Sequence, residues 1–205
     1  PRVLALCRAD AEVIDVGKRG GRPSPRQPDI SRRLIDLAQA GRRVARLKGG
    51  DPFLFGRGPE EALALRAAGV PFRVVPGVTA GIGGLAYAGI PATAGETNAA
   101  VAFVSGHDPD AFDWEALGRG VPVLVFYMAL QYLPVICARL VAAGRLPDEP
   151  AAVVCDATTP RQTVLESTLA GLVQDVAARG LVPPALVVVG PVVRLRESLD
   201  WWMRT

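Results

Sequence analysis

Twice in the first eighty residues a helix-patterned stretch stops on a glycine, and an extended apolar run begins within two or three residues. Ile30, Leu34, Leu37 and Ala38 recur at helical spacing from Asp29, which is placed to cap the helix; Gly41 ends the pattern, and residues 43–47 read as a strand. Residues 60–68 repeat the cycle, with Gly69 as the stop and residues 72–75 as the strand. Residues 12–16 supply an earlier strand, and residues 79–88 a later helix with Thr79 as its cap. Parallel strands need a crossover, and a helix is the usual one. Strands separated by single helices through short loops therefore predict an α/β fold with a parallel sheet.

The second half has a different texture. Residues 101–104, 123–127, 152–155 and 186–189 are short apolar runs of the kind that make buried strands, while residues 162–168 alternate in period two, as a half-exposed strand does. Helical patterns cover residues 132–143 and 172–178. The economical division is into two α/β domains, 1–94 and 95–205, the first with a parallel and the second with a mixed sheet. Hydrophobic residues make up 50% of the 205 and charged residues 21%, a globular profile with enough chain to bury a core. No apolar run is long enough for a membrane span, so a cytoplasmic protein without a membrane partner is expected. Cys7, Cys137 and Cys155 are far apart and fit no zinc spacing, so no metal is expected. The net charge of +3 suits either ordinary solvated faces or a polyanionic ligand. Cations interleaved with aromatics are missing, which argues against a nucleic-acid partner.

In an open α/β sheet, ligands bind outside the carboxyl ends of strands. Lys48-Gly49-Gly50-Asp51-Pro52 falls there, after the strand at 43–47, and Pro76-Gly77-Val78-Thr79-Ala80 falls there after the next. Adjacent glycines allow close backbone approach to a ligand, and Asp51 can accept hydrogen bonds from hydroxyl or amino groups. Taken singly, each loop is equally an ordinary tight turn. Val16-Gly17-Lys18-Arg19-Gly20-Gly21 places two cations in a glycine-rich loop, either a solvated turn or a contact for an anionic ligand. The lone histidine, His107, has no local partner set for a metal or a base and reads as structural, satisfied by Asp108 or a backbone group. No Gly-x-Ser-x-Gly elbow, His-Glu-x-x-His or Walker-type loop is present, which leaves hydrolase and phosphoryl-transfer chemistry unsupported.

Together these segments resemble the tetrapyrrole methylase family. The likeness rests on Val16-Gly17-Lys18-Arg19, on the block from Arg46 to Gly58 that contains Lys48-Gly49-Gly50-Asp51-Pro52-Phe53-Leu54-Phe55-Gly56-Arg57, and on Val75-Pro76-Gly77-Val78-Thr79-Ala80-Gly81-Ile82. Ala86-Tyr87-Ala88-Gly89-Ile90-Pro91, Ser105-Gly106-His107-Asp108, Tyr127-Met128 and Cys155-Asp156-Ala157-Thr158 extend it, so that it runs from about Val13 to Trp201. The resemblance implies two α/β domains with S-adenosylmethionine in the cleft between them, lined by Gly49, Gly50, Asp51, Leu54, Thr79, Ala80, Met128 and Ala157. It implies Arg57, Lys18 and Arg19 at the tetrapyrrole, with Lys18 as the catalytic residue. The implied reaction moves methyl groups to pyrrole carbons C2 and C7 of uroporphyrinogen III, giving precorrin-2 via precorrin-1 and leaving S-adenosylhomocysteine. A cytoplasmic homodimer, working without a metal, is implied as well.

Two departures from the family pattern carry expectations of their own. The family opens with a strand leading into a Gly-x-Gly-Pro-Gly-Asp-Pro loop and, further on, a Tyr-Asp pair. Neither occurs in these 205 residues, so the first domain is expected to be incomplete and methyl transfer by these residues alone to be weak or absent. Thr93-Ala94-Gly95-Glu96 stands where the family usually has Thr-His-Arg, which leaves room for another tetrapyrrole substrate. The competing readings are a different methylase of corrin formation and a non-catalytic binding remnant.

Overall fold

The computed structural model describes residues 2–17 and 26–202, and these pack as two compact units, Pro1–Pro76 and Gly77–Thr205. The domain division expected at 94/95 is drawn on sequence texture, whereas the packing units meet at 76/77.

The second unit is built on a five-stranded mixed sheet. Its strands are β1 (Val101–Ser105), β2 (Val123–Tyr127), β3 (Pro150–Cys155), β4 (Thr163–Thr168) and β5 (Ala185–Val189), in spatial order β1-β2-β5-β3-β4. The β1 and β2 strands are parallel, with Val101 opposite Val123, and β5 runs antiparallel to both β2 and β3. It follows that β1, β2 and β3 point the same way, so the carboxyl ends at Ser105, Tyr127 and Cys155 share one edge of the sheet. The edge strand β4 pairs antiparallel with β3; of its residues only Leu165 is buried, with Val164 and Ser167 partly so, which is less regular than the expected period-two alternation.

Both faces of this sheet are covered, which is why its central strands are continuous apolar runs. On one face Leu124, Phe126, Val153 and Val187 pack with Leu133, Ile136 and Leu140 of helix Leu133–Ala142 and with Leu172 of helix Leu172–Arg179. On the other, Val123, Val125, Ala152, Val154 and Val188 pack with Leu85 and Ala88, at the end of helix Ala80–Tyr87, and with Ile90. A helix at Trp114–Gly120 escapes the sequence reading because two glycines fall within its seven residues; Asp113 starts it by accepting from the Ala116 amide at 3.0 Å.

The first unit contains two longer helices, Gln27–Gln39 and Gly58–Ala67, below called α1 and α2. Helix α1 begins at Arg26, not at the expected Asp29, because Pro28 fits the first turn; Asp29 sits in that turn, where a carboxylate complements the helix dipole. Gly41 and Gly69 end their helices as expected, in the left-handed conformation (φ 75° and 69°), and the next amides, Arg42 and Val70, reach back to the Leu37 and Leu65 carbonyls.

Among the described residues of this unit no strand ladder forms, which corrects the expectation of a parallel sheet built from residues 12–16, 43–47 and 72–75. Residues 42–46 and 70–75 instead line a cleft of about 680 Å³ with Leu34, Ala38, Ala62 and Leu65 of the two helices. An extended pattern is therefore present there without the pairing that makes a sheet.

Candidate functional site

In the first unit, the segment from Lys48 to Gly58 is a self-bonded loop fastened to the first turn of α2. Asp51 Oδ1 accepts from the Phe53 amide at 2.8 Å, an Asx turn, and the Leu54 amide donates to the Asp51 carbonyl at 3.4 Å. The Gly58 amide donates to the Pro52 carbonyl at 3.0 Å. A side chain at Gly58 would put its Cβ 2.3 Å from that same carbonyl oxygen, so the closure admits only glycine. Gly50 is left-handed at φ 67°, and the position of a Cβ on Gly49 has no atom within 4 Å, so this backbone is open to an approaching group. The Arg57 guanidinium pairs with Glu60 at 3.3 Å on an exposed surface.

Beneath the loop lies a charged cluster. Glu61 is 4% exposed, and its Oε1 accepts from Gln27 at 3.0 Å, Lys48 at 3.1 Å and Arg46 at 3.2 Å. Burial opposes ionisation of Glu61, but the hydrogen bonds of Gln27 and Lys48 and the charge of Arg46 together outweigh it and hold the carboxyl below the usual glutamate range.

In the second unit the expected residues gather around Tyr127, the last residue of β2. Its hydroxyl lies 2.7 Å from Thr79 Oγ1 and accepts from the Gly81 amide at 2.7 Å. Thr79 therefore heads helix Ala80–Tyr87 without capping it by its side chain, contrary to expectation, since its hydroxyl is bonded to Tyr127 instead. A Cβ on Gly81 would lie 2.3 Å from the Tyr127 hydroxyl and 2.7 Å from the Phe103 ring. Met128 follows Tyr127 at the strand end, half exposed, with φ 55°. Ala157, in the loop after β3, is set against the same helix: a Cβ on Gly84 would lie 3.0 Å from the Ala157 methyl. Thr79, Ala80, Met128 and Ala157 thus come together where β2 and β3 end.

The described residues contain five non-glycine positions with positive φ, and all five fall in these loops: Phe55, Arg57, Met128, Asp156 and Thr158. Each costs on the order of 1–3 kcal/mol and persists only where the surroundings enforce it, a pattern that concentrates at ligand sites.

Lys18 and Arg19 lie outside the described residues. His107 is exposed, and Asp108 turns its carboxylate to the Asp110 amide rather than to the histidine. The Thr93–Glu96 region forms a tight loop closed by buried Asn98, whose amide side chain bonds Ala92, Ala94 and Ala100. Burial pushes the Cys137 thiol up to about 11 and raises Cys155 too, which makes both poor nucleophiles. No group of metal-ligating side chains occurs among the described residues, and none of their helices is long and apolar enough to cross a membrane. Sequence reasoning missed Glu61, Tyr127 as the hub, and the strained pair Asp156 and Thr158. For Tyr127 a signal existed: a hydroxyl-bearing aromatic at the end of an apolar strand needs a partner.

The second unit thus carries a mixed five-stranded α/β sheet, and backbone strain gathers in the loops named above. The profile of the Tetrapyrrole (Corrin/Porphyrin) Methylases matches residues 1–173, and the chain belongs to that family. It is 61% identical over 203 residues to a uroporphyrinogen-III C-methyltransferase of Sinorhizobium sp., covering 97% of this chain and 72% of that protein. A siroheme synthase of Pseudomonas fluorescens (strain Pf0-1) is 49% identical over 205 residues, of which the chain spans 44% of the length. Among solved structures, uroporphyrin-III C-methyl transferase from Thermus thermophilus, complexed with S-adenyl homocysteine, superimposes with a TM-score of 0.77 at 40% identity, covering 95% of this chain and 82% of that one.

Proposed function

We propose that this chain transfers methyl groups from S-adenosylmethionine to carbons C2 and C7 of uroporphyrinogen III, giving precorrin-2 via precorrin-1. The observation that carries the reading is the convergence of backbone strain on the loops assigned to the cofactor, Phe55 and Arg57 in one and Met128, Asp156 and Thr158 in the others. Likeness to a uroporphyrinogen-III C-methyltransferase at 61% identity supports the substrate.

When bound, S-adenosylmethionine supplies an electrophilic methyl group on a sulfonium. What remains for the chain is alignment of carbon, methyl and sulfur, and exclusion of water. We assign polar recognition of the cofactor to Asp51 and to the exposed backbone at Gly49 and Gly50. Leu54 and Met128 offer apolar surface, and Thr79, Ala80 and Ala157 give a small-residue wall that lets the ligand approach the backbone. Lys18, Arg19 and Arg57 are assigned to the substrate's carboxylates, with Lys18 also given the catalytic role. The chain is further proposed to be cytoplasmic and to act as a homodimer; Val135, Val141, Leu146 and Val182 are apolar and exposed in the second unit, and sedimentation is expected to give twice the 21.6 kDa chain mass.

The test is incubation of uroporphyrinogen III with isotopically labelled S-adenosylmethionine, beside calorimetry with S-adenosylhomocysteine. The expected product carries two labelled methyl groups, at C2 and C7, preceded by a singly methylated species. Label at other carbons would replace this reading by another methylase of corrin formation, and binding without product by a non-catalytic role.

A further inference from the structure

The Gly49–Gly50 pair is the conformationally freest stretch of this loop. Gly49 has an open flank, Gly50 is left-handed, and a two-glycine segment loses more conformational freedom on ordering than any other pair. Something must fix its ends, and both ends lead to one turn of α2. On the far side, the Gly58 amide, the first of α2, donates to the Pro52 carbonyl at 3.0 Å. On the near side, Glu61, one turn further along, holds the Lys48 ammonium at 3.1 Å.

The Lys48–Glu61 pair is unlike the surface ion pairs of the chain. The two side chains are 11% and 5% exposed, whereas Arg57–Glu60 beside it is 55% and 50% exposed. Glu61 also binds Arg46, which donates in turn to the Leu47 carbonyl at 3.0 Å, so the residues on both sides of Leu47 are fixed as well. A buried carboxylate facing two cations cannot be removed quietly: its loss leaves the largely buried Lys48 and the partly buried Arg46 beside one another without that counter-charge. The first turn of a helix is also where a carboxylate is favoured by the helix dipole, which helps keep Glu61 ionised.

We infer that Glu61 is a positioning residue, which staples Lys48 to α2 and thereby holds Gly49, Gly50 and Asp51 in place for the cofactor. The consequence for that ligand rests on the function proposed above; the stapling itself does not. The pH dependence follows from the depressed folded pKa of Glu61. Loop order is full above the ordinary glutamate value of about 4.3 and is lost as pH falls through the lower folded value.

The experiment compares the full chain with E61Q, E61D and K48M by residue-resolved amide exchange and by calorimetric titration with S-adenosylhomocysteine. The surface variant E115Q, in the exposed Arg119–Glu115 pair, serves as control. In E61Q and K48M, exchange at the Phe53 and Leu54 amides is expected to rise about tenfold with β2 and β3 amides unchanged, as when a partly buried charged anchor is cut. E61D keeps the charge and is expected to fall between. The dissociation constant is expected to rise about tenfold in E61Q and not in E115Q. Should E61Q not fold, K48M cuts the same staple while Glu61 keeps Gln27 and Arg46. Unchanged loop exchange in folded variants, or faster exchange spread evenly over the chain, would overturn the inference. If the unsubstituted chain takes up no S-adenosylhomocysteine, the functional reading fails while the exchange data still decide the role of Glu61.

Discussion

The two units of this chain share an extended apolar sequence pattern and use it differently. In the second, β2 and β5 each bond neighbours on both sides and are buried on both faces. In the first, residues 43–47 and 72–75 carry the same kind of pattern, yet Val44, Leu47, Phe72, Val74 and Val75 are all exposed, and Ile30 is the one fully buried apolar residue among those described. The difference shows what periodicity can specify. It sets the conformation of a segment, but a ladder needs a second segment at hydrogen-bonding distance, and no local pattern encodes that distance. Site loops in the second unit are therefore held by a sheet, and the Lys48–Gly58 loop by a buried ion cluster.

The largest expected effect is in amide exchange of the native protein. Backbone amides of β2, β3 and β5 should open only with global unfolding, exchanging several orders of magnitude more slowly than those of residues 43–47 and 72–75. Equal protection in both sets would erase the contrast. Next comes packing. Phe126 is fully buried and stacks on Trp114 at 6.3 Å, so Phe126→Ala should cost about 3–5 kcal/mol in chemical denaturation, while Leu63→Ala on the exposed side of α2 stays within about 0.5 kcal/mol. Gly81→Ala would place a methyl against the Tyr127 hydroxyl and the Phe103 ring; a loss of about 1–3 kcal/mol is expected, with weakened S-adenosylhomocysteine binding. Smallest is Tyr127→Phe, which strands the Thr79 hydroxyl and the Gly81 amide and should cost about 1–2 kcal/mol in stability without changing the fold by circular dichroism.

How much was legible in the sequence follows the same divide. All five strands of the second unit were readable to within two residues, because Val123–Tyr127 and its neighbours are short, β-branched runs bounded by turn residues. The helix stops at Gly41 and Gly69 were readable because a left-handed residue is needed there. The site loops were visible as motifs, but their geometry was not. Nothing in the spacing told that Thr79 would bond Tyr127 rather than cap its helix, since that depends on where a strand 48 residues later ends. Glu61 was invisible for the same reason: its partners come from helix α1 (Gln27) and from the extended stretch holding Arg46 and Lys48, and only the fold brings three donors onto one carboxylate oxygen.

The central claim is that the residues proposed for the cofactor bind the methyl donor. A residue-resolved NMR titration of the 205-residue chain with S-adenosylhomocysteine tests it most directly. The account predicts shifts at Gly49, Gly50, Asp51, Leu54, Thr79, Ala80, Met128 and Ala157 that all follow a single dissociation constant, with β4 and helix Leu172–Arg179 unperturbed. Shifts centred away from these residues, or no shifts at all, would contradict it.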